Sequence, residues 1–168
     1  MSRWRPPAAA AQPYITAAGF RALESEVRAL WSRRREVVVH LAAAAAEGDR
    51  SENAEYIYRK KELREMDRRL GYLQRRMPQL TIVRAVPATT DRVFFGARVD
   101  LADEAGATRR YRIVGADEAD SARGDISLDA PLARALLGRT LDDEILFGDG
   151  AMRQRLYLTA IDYPDPEQ

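Results

Sequence analysis

The 168-residue chain contains no cysteine. That absence excludes a disulfide framework, a thiol nucleophile, a zinc ribbon and an iron–sulfur site. A single histidine excludes a histidine-rich metal site. No apolar run approaches the ~20 residues of a membrane span. The first 13 residues hold two Arg and a run of four Ala, without the apolar stretch of ~7–15 residues that a secretory signal needs. We read 1–14 as a disordered tail on a cytoplasmic protein. There is neither a P-loop nor a G-x-G-x-x-G, so a nucleotide cofactor has no support. Net charge is nearly absent as well, at +1, but the balance hides an asymmetry. Residues 20–80 carry 14 Arg or Lys against 10 Asp or Glu, and residues 81–168 carry 11 against 16. A basic half and an acidic half point to surfaces with different partners.

What the chain does have is helical periodicity. Phe20, Leu23, Val27, Leu30, Arg34, Val37, Leu41 and Ala44 follow alternating steps of three and four, the a/d seam of a coiled coil. Tyr56, Arg59, Leu63, Met66, Leu70, Leu73, Met77 and Leu80 form a second seam. Extending the first register into the second run would put Gly48, Ser51, Glu55 and Glu62 in the core, so the phase breaks between them. Folding the chain back near Arg50 repairs it, because each seam residue then meets the one whose number completes a sum of 100. The expectation is an antiparallel helical hairpin over 15–82. Its first arm, Phe20 to Ala46, would be about 40 Å long at ~1.5 Å per residue. The polar seam members Arg34 and Arg59 are long enough to carry their charge outward. A rod of this kind suits either reach into a partner or simple self-association. His40 lies beside the first seam, with no Ser–His–acid constellation around it.

The expected turn reads Glu47-Gly48-Asp49-Arg50-Ser51-Glu52-Asn53-Ala54-Glu55-Tyr56. Gly48 suits the cap of the first helix. Asp49 suits the N-cap of the second, with Glu52 in a capping-box position and Glu55 favouring the helix dipole. The same spacing also allows Asp49 and Glu52 to share a hard divalent cation. Two carboxylates are too few for a complete Mg²⁺ shell of about six oxygens, so such a tip would complete a site supplied mostly by a partner. Both roles are open on spacing alone.

After Thr81 the period shortens. Val93–Val99, Arg110–Val114, Asp125–Leu128, Glu144–Phe147 and Arg155–Ile161 read as strands. Pro131–Leu137 reads as one short helix between an Asp129 N-cap and Gly138. The fold class is therefore α+β: an N-terminal antiparallel two-helix coiled-coil hairpin followed by a small strand-rich domain over 83–168.

The motif G-D-R-S-E-N-A-E-Y at 48–56 resembles the tip of the bacterial Gre transcript-cleavage factors, the GreB type more than the GreA type. The likeness continues through K-K-E-L-R-E-M-D-R-R-L-G-Y-L at 60–73, V-F-F-G-A at 93–97, Y-R-I-V-G at 111–115 and I-S-L-D-A-P-L-A-R-A-L-L-G at 126–138. The resemblance implies an FKBP-like second domain without prolyl isomerase activity. It also implies a monomer that binds bacterial RNA polymerase near its largest subunit and inserts the hairpin through the secondary channel. The polymerase then hydrolyses the backtracked nascent RNA 3′ end, and the factor is no enzyme itself. Asp49 and Glu52 match the family's catalytic, metal-binding acids, which hold a Mg²⁺ shared with the polymerase active site; the isolated protein would bind no metal tightly. Contacts to RNA or polymerase would fall to Arg50, Ser51, Asn53 and Glu55 at the tip. Further contacts would come from Arg59, Lys60, Lys61, Arg64, Arg68 and Arg69 along the hairpin, and from Asp129, Pro131 and Arg134 on the second domain. The chain departs from the family pattern at Ala130, at Asp142-Asp143-Glu144, and across 148–155. An inert channel regulator and a coiled-coil scaffold are the competing readings.

Overall fold

A computed structural model describes residues 11–46, 54–148, 150 and 153–165. These residues form two units. One spans 20–80; the other combines the chain up to residue 19 with the chain from residue 81.

The first unit is built from α1 (Ala17–Ala46), α2 (Ala54–Arg76) and a single 3-10 turn, Met77–Gln79. Pro78 in that turn lacks an N–H and cannot extend the α-helix. All sixteen predicted seam positions are buried or half-buried, from Phe20 to Ala44 and from Tyr56 to Leu80. Val37 and Leu73 have no exposed surface. Between the seams the helices exchange charge. Arg69 grips Glu26 through Nε at 2.6 Å and Nη2 at 2.8 Å. Arg33 Nε meets Glu62 at 2.9 Å, and Arg34 Nε meets Asp67 at 2.7 Å. Partner numbers fall from 69 to 62 as the first helix rises from 26 to 33, so the helices run antiparallel. These pairs add to 95, 95 and 101, around the expected 100. Flanking Arg and carboxylate side chains are long enough to span the offset.

The second unit holds a five-stranded sheet in the order β5-β4-β3-β7-β6. Its strands are β3 (Arg98–Asp103), β4 (Thr108–Val114), β5 (Asp125–Ser127), β6 (Glu144–Phe147) and β7 (Gln154–Asp162). β4 and β5 pair in parallel, and the other neighbours are antiparallel. Alternation puts Val99 and Leu101 of β3, Ile113 of β4, Ile145 of β6 and Leu158 of β7 into one core. There they meet Ala133 and Leu136 of α3 (Pro131–Leu136). One helix against a mostly antiparallel sheet is the α+β class expected from the sequence. A separate parallel pair, β1 (Tyr14–Thr16) with β2 (Thr81–Val83), belongs to this unit and was not anticipated.

Two local expectations change. The strand expected at Val93–Val99 begins only at Arg98. Gly96 adopts φ +86°, a left-handed value that breaks an extended run. The Tyr163 hydroxyl also holds the bend, accepting the Phe94 N–H at 2.9 Å and donating to the Arg92 carbonyl. Asp129 is not the N-cap of α3. Ala130 occupies that position with no side-chain cap, and Pro131 at the helix start removes one donor that would need one. The Asp129 carboxylate accepts the Gln12 N–H at 2.9 Å instead. Gly138, at φ +78°, ends the helix region as expected.

Candidate polymerase- and RNA-facing surfaces

The link between α1 and α2 spans 47–53. Asp49, Arg50, Ser51, Glu52 and Asn53, together with the capping roles expected of Gly48 and Asp49, lie outside the described residues. Glu55 opens α2, exposed, with one carboxylate oxygen 3.5 Å from Arg59. Asp and Glu carboxylates are the hard oxygen donors that Mg²⁺ takes, so the residue types of the link fit that ion. Among the described residues, no group of three or more His, Asp or Glu could hold a metal ion.

The basic residues of α2 divide into two sets. Arg59 and Arg69 are tied down inside the hairpin. Arg59 lies in the seam, bonded to Glu62 at 3.1 Å, stacked 5.5 Å from the Tyr58 ring, and with a buried Nε that has no partner among the described residues. Arg69 is held by Glu26 and lies 5.4 Å from the Tyr72 ring. Lys60, Lys61, Arg64 and Arg68 are exposed. Lys60, Arg64 and Arg68 recur every fourth residue, which places them on one helix face. Lys60 lies 5.5 Å from the Tyr56 ring, and Lys61 approaches Glu65 only to 4.0 Å. Tyr56 takes its seam position, and Tyr58 is 60% exposed. His40 is exposed.

These contacts set the local electrostatics. The Arg69 hydrogen bond holds the Glu26 carboxyl below its ordinary value. At Glu62 burial pulls upward, but the hydrogen bonds and charges of Arg33 and Arg59 outweigh it, and the net shift is also downward. Glu26 and Glu62 are therefore held toward their ionised forms, while Lys61, Arg64 and Arg68 stay open to solvent.

At α3, one turn of helix brings the other three predicted residues together. Pro131 and Arg134 are exposed, and Arg134 Nη2 lies 3.8 Å from Asp129 Oδ1. Sequence reasoning missed a polar joint at the start of α1, made by Thr16, Gly19 and Glu118. No spacing rule could link a loop glutamate to a threonine 102 residues away.

Two family models match the chain. The model described as "Transcription elongation factor, N-terminal" covers residues 13–82, and "Transcription elongation factor, GreA/GreB, C-term" covers 88–163. "Transcription elongation factor GreB" of Xanthomonas axonopodis pv. citri is 53% identical over 165 residues, 97% of this chain and 98% of that protein. The protein of the same name from Pseudomonas aeruginosa is 50% identical over 98% of each chain. A solved structure of the transcription factor Gfh1 aligns over 90% of this chain and 98% of its own, at 21% identity and a TM-score of 0.44. That score is too low to carry an argument. With both halves matched in order and relatives alike over nearly their full length, the chain belongs to the GreA/GreB family of transcription elongation factors.

Proposed function

We propose that this protein binds bacterial RNA polymerase and rescues backtracked elongation complexes by stimulating hydrolysis of the nascent transcript. The single observation that carries the reading is the antiparallel register of α1 and α2. The two helices run antiparallel on either side of the stretch whose sequence contains Asp49 and Glu52. In this reading the hairpin enters the polymerase secondary channel link-first, and the two carboxylates complete a Mg²⁺ site that the polymerase mostly supplies. The chemistry that ion brings is activation of a water and neutralisation of phosphate charge. The protein's own part is to deliver the two carboxylates; the active site belongs to the polymerase.

The open residues Lys60, Arg64 and Arg68, with Lys61, would meet extruded RNA through its phosphates. Such contacts weaken steeply with salt. Arg59 and Arg69 contribute mainly by holding the hairpin together. Asp129, Pro131 and Arg134 would dock the second unit against the polymerase's largest subunit.

The test uses stalled, backtracked complexes carrying a labelled transcript. Wild-type protein should release short 3′ fragments in Mg²⁺. Asp49→Ala and Glu52→Ala should bind polymerase and release none. Equal cleavage by both variants would end the carboxylate mechanism. Binding without cleavage by the wild type would favour an inert channel regulator.

A further inference from the structure

α2 carries a second pattern besides its seam. Tyr58, Lys61, Glu65, Arg68 and Tyr72 recur at steps of three and four, which gathers them into one stripe about 80° wide. All five are exposed, on the side of the helix away from the seam residues Leu63, Met66 and Leu70. Arg64, also exposed, flanks the stripe one turn from Lys61 and from Arg68. An exposed tyrosine alone needs no explanation. These two, 60% and 40% exposed, share a further feature.

Each ring is backed by an arginine that is itself tied down. The Arg59 guanidinium lies 5.5 Å from the Tyr58 ring centre and is held by Glu62 at 3.1 Å and Glu55 at 3.5 Å. The Arg69 guanidinium lies 5.4 Å from the Tyr72 ring centre and is held by Glu26 at 2.6 Å. Both fall within the ~6 Å of a cation–π contact. A ring seated in this way keeps its orientation, so a second planar group can stack on it at little ordering cost.

The two rings stand about 21 Å apart along the helix axis. That distance is roughly six steps of a stacked strand at ~3.4 Å each. Between the rings Lys61 and Arg68 supply positive charge, and Glu65, 4.0 Å from Lys61, offsets part of it. A partner that answers both features has planar apolar faces and a negative charge at every step, which describes a single-stranded nucleic acid. An acidic protein face would answer the cations but not the rings.

We propose that this stripe is a stacking platform for the RNA extruded from a backtracked complex. Tyr58 and Tyr72 each take a base face, and Lys61, Arg64 and Arg68 take the phosphates between them. The platform lies wholly within α2. The inference rests on the cleavage-stimulating reading above and adds base contacts to its phosphate contacts. Because every base has a planar face, the platform should tolerate any sequence.

The test uses the full chain and backtracked complexes in two arms. In the first, Tyr58→Ala should raise the half-saturating factor concentration for cleavage by at least about fivefold, and Tyr58→Phe, which keeps the ring, by less than about twofold. Tyr72→Ala should show a similar loss when about eight nucleotides are extruded and none when about two are. Replacing the extruded nucleotides by abasic ones should weaken the wild type and erase its advantage over Tyr58→Ala. In the second arm, 4-thiouridine placed in the extruded segment should crosslink to α2, and less so in the two alanine variants. A Tyr58→Ala loss that persists in full on abasic RNA would assign the ring to the polymerase wall and overturn the platform. So would a Tyr58→Phe loss as large as that of Tyr58→Ala, or no loss in either alanine variant. A wild type that crosslinks through α2 but stimulates no cleavage would instead sink the functional reading and leave the platform standing.

Discussion

The hairpin and the sheet unit hold themselves together by different means. The sheet unit gathers nine buried residues into one cluster fed by four strands and a helix. In the hairpin the nearly dry side chains are spread along the rod: Leu23, Val37 and Ala44 on one helix, Met66, Leu70 and Leu73 on the other. Between them lie half-buried residues and cross-helix ion pairs. Two helices can bury only a stripe each, so register has to be specified by added polar contacts. A sheet covered by a helix specifies register through the pleat itself. The hairpin is thus the unit with less core and more charge.

That contrast can be broken at its deepest points first. Leu158→Ala in the sheet core should cost about 4 kcal/mol and Leu73→Ala in the hairpin about 2–3 kcal/mol, because a seam between two helices can collapse around a lost side chain more readily than a closed core. Chemical denaturation checks this, with Trp31 fluorescence in a Trp4→Phe background as the hairpin probe. Equal costs would erase the distinction. Acid comes next. Glu26 and Glu62 both have folded values below the ordinary glutamate value of 4.5. Their contribution is therefore complete above that value and is lost as pH falls through the lower, folded value. Hydrogen exchange below pH 4.5 should show α1 and α2 losing protection before the β3–β7 ladder does. Asp100, held low by the Arg110 hydrogen bond, gives the sheet unit some acid dependence too, but its apolar core should delay the loss.

Smaller effects sharpen the same comparison. Glu26→Gln removes the bidentate Arg69 pair, which is partly exposed at 41% and 35%. The expected loss is about 0.5 kcal/mol, and it should vanish at high salt. Arg68→Ala should change stability by less than about 0.5 kcal/mol, because the Arg68 side chain is exposed on α2. In backtracked complexes it should nevertheless flatten the salt dependence of factor binding, through one lost phosphate contact. A stability loss at Arg68 as large as that at Glu26 would mean that the open and tied basic residues are not distinct sets.

The same contrast explains what could be read from the sequence. A single period sustained over eight positions in each arm specified the hairpin, its direction and its seam, and every seam residue went inward. In the second half, β6 matched its expected span and β4, β5 and β7 came within a few residues of theirs. β1 and β2 were invisible because each has three residues and its partner lies 67 positions away. At Val93–Val99 the apolar composition outvoted Gly96, whose positive φ turned the chain. Asp129 looked like a cap by type and spacing, but a tertiary acceptor role for the Gln12 N–H took its carboxylate. Which α2 basic residues are tied depends on which α1 carboxylates face them, so composition alone could not separate Arg69 from Arg68. Glu118 carried no local pattern at all; its meaning comes entirely from the fold.

The most direct measurement is the Mg²⁺ dependence of transcript cleavage at saturating factor. If the two acids between α1 and α2 complete a metal site, Glu52→Asp should keep polymerase binding but raise the Mg²⁺ concentration needed for half-maximal cleavage, and Asp49→Ala should abolish stimulation at any Mg²⁺ concentration. A Mg²⁺ requirement that is the same for wild type, Glu52→Asp and Asp49→Ala would contradict the account.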